Sequence, residues 1–79
     1  MRDKVIKMLE DVCETTEIRD NQDVDLFEAG LLDSLGTVSL LLEIEEVFGL
    51  SLEPTDVDRS QISSVNRIVA FLVSKGVRE

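Results

Sequence analysis

Apolar positions along this chain recur every three or four residues in three separate stretches, with polar intervals between them. Near the N-terminus, Val5, Ile6, Leu9, Val12 and Cys13 form one stripe, which predicts a helix over about residues 2–14. A second stretch opens at Asp33 or Ser34 and runs to about Phe48; Asp33 is a good N-cap, and Gly49 is a good stop just past the end. A third begins after Ser63 or Ser64, carries Val65, Ile68, Val69, Leu72 and Val73 on its buried stripe, and closes at Lys75 and Gly76. Pro54, Thr55 and Asp56 open a short helical turn that reaches about Arg59. Residues 15–33 read as a long loop, because Thr15, Thr16, Asp20, Asn21, Asp23 and Asp25 compete locally for backbone hydrogen bonds. Leu26, Phe27, Leu31 and Leu32 are expected to pin that loop to the core, and Gly30 suits a positive φ. No segment of any length alternates with period two, so no sheet is expected. The fold predicted is all-α: a three- to four-helix bundle in one domain over residues 1–79, with a long loop between helices one and two.

The second helix is unusual because its apolar residues fall in two sectors. At 100° per residue with Leu35 at zero, Leu40, Leu41, Ile44, Val47 and Phe48 lie between about 120° and 240°, a full core face. Leu35, Val38 and Leu42 lie between about 300° and 360°, with Ser34 at the border and Glu45 and Glu46 to either side. A small bundle cannot easily bury both faces. Either the second face packs beneath the long loop, or it is a partly exposed docking patch rimmed by carboxylates.

Charge adds to this picture. The formal net charge is −9, and between Glu10 and Asp33 nine carboxylates face a single base, Arg19. Such a surface repels nucleic acid and anionic lipid and suits partners with basic patches, although an acidic run is by itself no more than a solubilising face. The lone Cys13 allows no internal disulfide and fits a reducing compartment; it is read as a small core residue. No apolar leader follows Met1, and no apolar run comes near the ~20 residues of a membrane span. A cytoplasmic protein without direct membrane insertion is expected.

Ser34 draws attention as a chemical handle. Catalysis by it is excluded on simple grounds: the chain has no histidine, and a domain this small can hardly desolvate a lysine base. Asp20, Asp23, Asp25 and Glu28 lack the alternating spacing and central glycine of a calcium loop, so no metal site is expected. Two readings of Ser34 remain from local chemistry. It is a plain helix cap, or it is a modification site whose phosphodiester would sit at the positive end of a helix.

The stretch Phe27-Glu28-Ala29-Gly30-Leu31-Leu32-Asp33-Ser34-Leu35, with Glu45-Glu46-Val47-Phe48-Gly49 after it, resembles the acyl carrier protein superfamily, whose Asp-Ser-Leu motif precedes an acidic helix ending in Glu-Glu-x-Phe. The resemblance spans nearly the whole chain. Within the superfamily, Asp25-Leu26-Phe27-Glu28, Gly36-Thr37-Val38 and the Asp58-Arg59 pair look most like D-alanyl carrier proteins, with departures at Leu35, Ser39 and Ser60-Gln61-Ile62. The resemblance implies a carrier, not an enzyme, with 4′-phosphopantetheine attached to Ser34 by a phosphopantetheinyl transferase. Asp33 would help position that transferase's metal and coenzyme A. It further implies that the arm's thiol holds D-alanine as a thioester, loaded by an adenylating D-alanine ligase and delivered to teichoic acids through a membrane-bound acyltransferase. Leu35, Val38, Leu42 and Glu45 would be the surface these partners read, and the carrier would act as a monomer. Two alternatives stay open at this point: a carrier for fatty-acid, polyketide or other acyl chains, and an unmodified acidic interaction module.

Overall fold

The computed structural model describes residues 1–15 and 17–77; Thr16 of the expected loop lies outside them. Helix α1 covers Arg2–Cys13, α2 covers Ser34–Phe48 and α3 covers Val65–Ser74. No strand occurs among the described residues, in keeping with the all-α expectation. Both α1 and α2 present one face to the other, α3 packs on α1, and short 3-10 turns at Glu17–Asp20, Pro54–Asp56 and Arg59–Gln61 close the gaps between them. The single helical turn expected over 54–59 is thus two turns, because Val57 and Asp58 revert to extended backbone between them.

Local chemistry sets the helix ends. Asp33 is extended and its Oδ1 accepts the Gly36 N–H at 2.8 Å, while Ser64 Oγ does the same for Arg67 N–H at 3.2 Å. Gly49 turns left-handed at φ 70° and returns its N–H to the Glu45 carbonyl, which ends α2 where a glycine is cheapest. Helix α1 ends on Glu14 at φ 53°, a conformation that costs a non-glycine residue about 1 kcal/mol.

The core is one cluster. Val5, Ile6, Leu9, Leu40, Leu41, Ile44, Val65, Ile68, Val69 and Leu72 are buried as their spacing predicts, whereas Val12 and Cys13 are only partly covered. Phe48 is likewise only partly covered, and two expected core residues are exposed: Val47 is 45% exposed and Val73 48%. Each sits at the margin of its stripe. On α2 the buried residues Leu40, Ile44 and Leu41 span about 140° to 240°, and Val47, at about 120°, falls just outside that arc. On α3 the arc centres between Ile68 and Leu72, which brings Phe71 inside and leaves Val73 out.

The long loop is anchored rather than free. Ile18, in the first 3-10 turn, is fully buried, as is Leu26. Leu26 donates its N–H to the Ser63 carbonyl at 2.7 Å, and its own carbonyl accepts the N–H groups of Leu31 and Leu32. Asp25 Oδ1 accepts from Phe27 N–H and Glu28 N–H at 3.0 and 3.1 Å, folding the chain back. At its start the loop is tied to two helices: Arg2 donates to Gln22 and Asn66, and Asn66 donates to Asp23. The fixed loop delivers the backbone into Asp33 at a set angle, and with it the start of α2.

Candidate functional site

Because Asp33 takes the capping role, Ser34 is the first residue of α2 itself. Its side chain is exposed, and among the described residues its hydroxyl makes no hydrogen bond. The plain-cap reading therefore falls to its neighbour. Asp33 is held by two further bonds, its carbonyl accepting from Thr37 N–H at 2.8 Å and from Thr37 Oγ1 at 2.9 Å. A hydroxyl with no internal partner on a fixed first turn is available to an outside enzyme. The free N–H groups of that turn and the helix dipole favour an anion bonded there. No carboxylate or imidazole hydrogen-bonds Ser34 among the described residues, so nothing in the chain activates it as a nucleophile.

Behind Ser34 lies a cavity of about 270 Å³, lined by Ser34, Val38, Val57, Arg59 and Ile62 together with the rim of Phe27 and Thr37. The Arg59 guanidinium stacks over the Phe27 ring with 4.5 Å to its centroid. Phe27 and Arg59 also line a larger neighbouring groove, together with Asp25, Glu28 and Arg67. Sequence reasoning gave Arg59 no place in the site. The Asp58-Arg59 pair was visible, but only the fold of the connector brings it beside the start of α2.

The second apolar face of α2 is open to solvent. Leu35 is 81% exposed, Val38 43% and Leu42 58%, so the loop does not cover them. Glu45 and Glu46 are exposed alongside. The loop packs elsewhere, against Ser63 and α3, which is why this face stays free. Around the helix, near α1, Asp11, Val12, Ser39 and Glu43 line a further depression. Glu43 Oε2 is buried there without a partner among the described residues. Burial first, then the charges of Asp11 and Glu46, push the Glu43 carboxyl above the usual range. Cys13 is raised likewise, by burial and then by Asp33, which makes it a poorer thiolate.

The site fits a phosphopantetheine group in three respects: a free hydroxyl, a helix N-terminus behind it, and a neighbouring cavity with a cation in its lining. Comparison with known proteins points the same way. The family model described as "Phosphopantetheine attachment site" matches residues 3–72. The chain is 45% identical over 71 residues to a D-alanyl carrier protein of Staphylococcus saprophyticus, covering 90% of this chain and 91% of that one. It is 40% identical over 72 residues to the D-alanyl carrier protein of Abiotrophia defectiva, with 91% of each covered. The D-alanyl carrier protein of Lactococcus lactis strain IL1403 is 37% identical over 75 residues, 95% of each chain.

Proposed function

The chain belongs to the phosphopantetheine attachment family, and from that premise we propose that Ser34 receives 4′-phosphopantetheine and that the chain then carries D-alanine for the D-alanylation of teichoic acids. The observation that carries this reading is the exposed, unbonded Ser34 hydroxyl at the start of a helix capped by a different residue. When attached, the group supplies a flexible thiol that holds an acyl group as a reactive thioester. The cargo follows from the D-alanyl carrier proteins to which the chain is similar.

The residues divide the labour as follows. Ser34 Oγ forms the bond to phosphorus, the adenosine bisphosphate half of coenzyme A leaves, and the hydroxyl proton passes to the transferase, since this chain offers no base. Asp33 holds the first turn through Oδ1, and its other carboxylate oxygen is left to meet the transferase's metal. Leu35, Val38, Leu42 and Glu45 form a small apolar patch with an acidic edge, suited to brief docking of enzymes with basic rims. The net charge of −9 adds long-range steering toward such partners. The chain contributes no catalytic group and acts as a substrate of its transferase, of an adenylating ligase, and of a membrane-bound acyltransferase. No helix among the described residues is long and apolar enough to cross a membrane, and delivery to that last partner proceeds by docking.

Intact-mass measurement tests the first step. Incubation with coenzyme A and a broad-specificity transferase should add about 340 Da, the mass of the arm, and Ser34→Ala should abolish the gain. An unchanged wild-type mass would refute the carrier reading. Loading of the modified protein by a D-alanine-adenylating ligase tests the cargo, and acceptance of a fatty acid in place of D-alanine would overturn it.

A further inference from the structure

Arg59 is set apart from the chain's other cations by where it sits: among the described residues it is the one cation that lines the cavity beside Ser34. The chain holds 17 acidic residues against 8 basic ones. Arg19, for comparison, pairs with Glu10 at 3.3 Å and Asp3 at 3.7 Å. Arg59 has no carboxylate partner among the described residues. Its guanidinium rests on the face of Phe27, which orients the planar group without neutralising it. It lines the same cavity as Ser34. The rest of that cavity is largely apolar: Val38, Val57 and the buried Ile62.

We propose that Arg59 is the binding partner of the phosphodiester that Ser34 acquires, and that the pantetheine arm of the resting carrier lies back into the cavity over Val57 and Ile62. The inference rests on the attachment of that group to Ser34, as proposed above. Three arguments support it. A phosphodiester at Ser34 brings a fixed negative charge next to Asp33 in an already acidic molecule, so it needs a local cation. Arg59 presents a fork of donors that matches two phosphate oxygens, and it is already oriented. The arm begins with a branched, apolar segment next to its phosphate, and the cavity wall offered to it is apolar. Because the arm is tethered at the cavity's own rim, its effective concentration there is high, and a modest intrinsic affinity suffices. Partner enzymes would draw the arm out by competing for the phosphate.

The test compares apo and modified protein by ¹H–¹⁵N spectroscopy, with intact mass read on the same samples. After the mass gain, shifts are expected at the Arg59 Nε–Hε group and at the amides of Val57 and Ile62, besides those next to Ser34. In Arg59→Gln, brought to full modification by long incubation, the shifts at Val57 and Ile62 should vanish while those of Leu35 and Gly36 remain. Modification with changes confined to residues 33–37 in the wild type would overturn the inference and leave the carrier reading intact. No mass gain at all would overturn both. Should Arg59→Gln not fold, the wild type at about 1 M salt replaces it, where the screening length falls to about 3 Å. Shrinking shifts at Arg59 and Val57 support the pairing, and unchanged ones refute it.

Discussion

Leu41 and Leu42 are neighbours of the same type on one helix, yet Leu41 is 3% exposed and Leu42 58%. Truncating each to alanine therefore separates the two faces of α2. Leu41→Ala truncates a buried core side chain and leaves a cavity, a loss of about 2–5 kcal/mol for such sites. A domain of this length is stabilised by about 4–12 kcal/mol in total, taking 0.05–0.15 kcal/mol per residue. The substitution thus removes a large part of the stability, and Tm should fall by well over about 8 °C. Leu42→Ala takes away a side chain that is already mostly in water, and alanine is a slightly better helix former, so stability should change by less than about 0.5 kcal/mol. Its effect should appear in loading instead: a loss of about 1–2 kcal/mol at a docking patch is a roughly 5- to 30-fold drop in kcat/KM for the adenylating ligase. The chain has no Trp or Tyr, so urea unfolding is best followed by circular dichroism. Equal destabilisation by the two variants would refute the two-faced helix. Normal loading of Leu42→Ala would refute the docking role of the patch.

Further outcomes follow from the same geometry. Asp33→Ala should lose the cap on Gly36 N–H, costing about 1 kcal/mol and about 4–8 °C in Tm, while Asp33→Asn keeps the cap and the stability but slows modification by the transferase; a thermal melt and an intact-mass time course read the two effects apart. The raised folded pKa of Glu43 means that its contribution favours folding below the ordinary carboxylate pKa and is lost as pH rises through the raised value. Glu43→Gln should therefore be more stable than the wild type at pH 7, by a few tenths of a kcal/mol or more once the Glu46 repulsion is relieved, with urea midpoints that converge in acid; a less stable variant at pH 7 would contradict the assignment. Gly30 sits at φ 74° with open space where a Cβ would go, so Gly30→Ala should cost about 1 kcal/mol from backbone strain alone, measurable by urea unfolding.

Much of this protein was legible in its residue order. Three- and four-residue spacing marked out the three helices, and Asp33, Gly49 and Ser64 marked where they begin and end, because capping is a local interaction between a side chain and its own turn. The split of α2 into two apolar sectors was equally visible, since helical geometry alone sets it. Which sector stays open was not. That depended on where the long loop runs, and the loop is held by Leu26 bonding to Ser63 and by the burial of Ile18, contacts between residues far apart in the chain. The same holds for Val47 and Val73, which spacing assigned to the core and which the neighbouring helices leave outside the buried arc. Arg59 shows the limit most clearly. An arginine in a connector carries no local sign of function. Only the fold, by turning that connector back beside Ser34 and resting the guanidinium on Phe27, makes an unpaired cation part of the site.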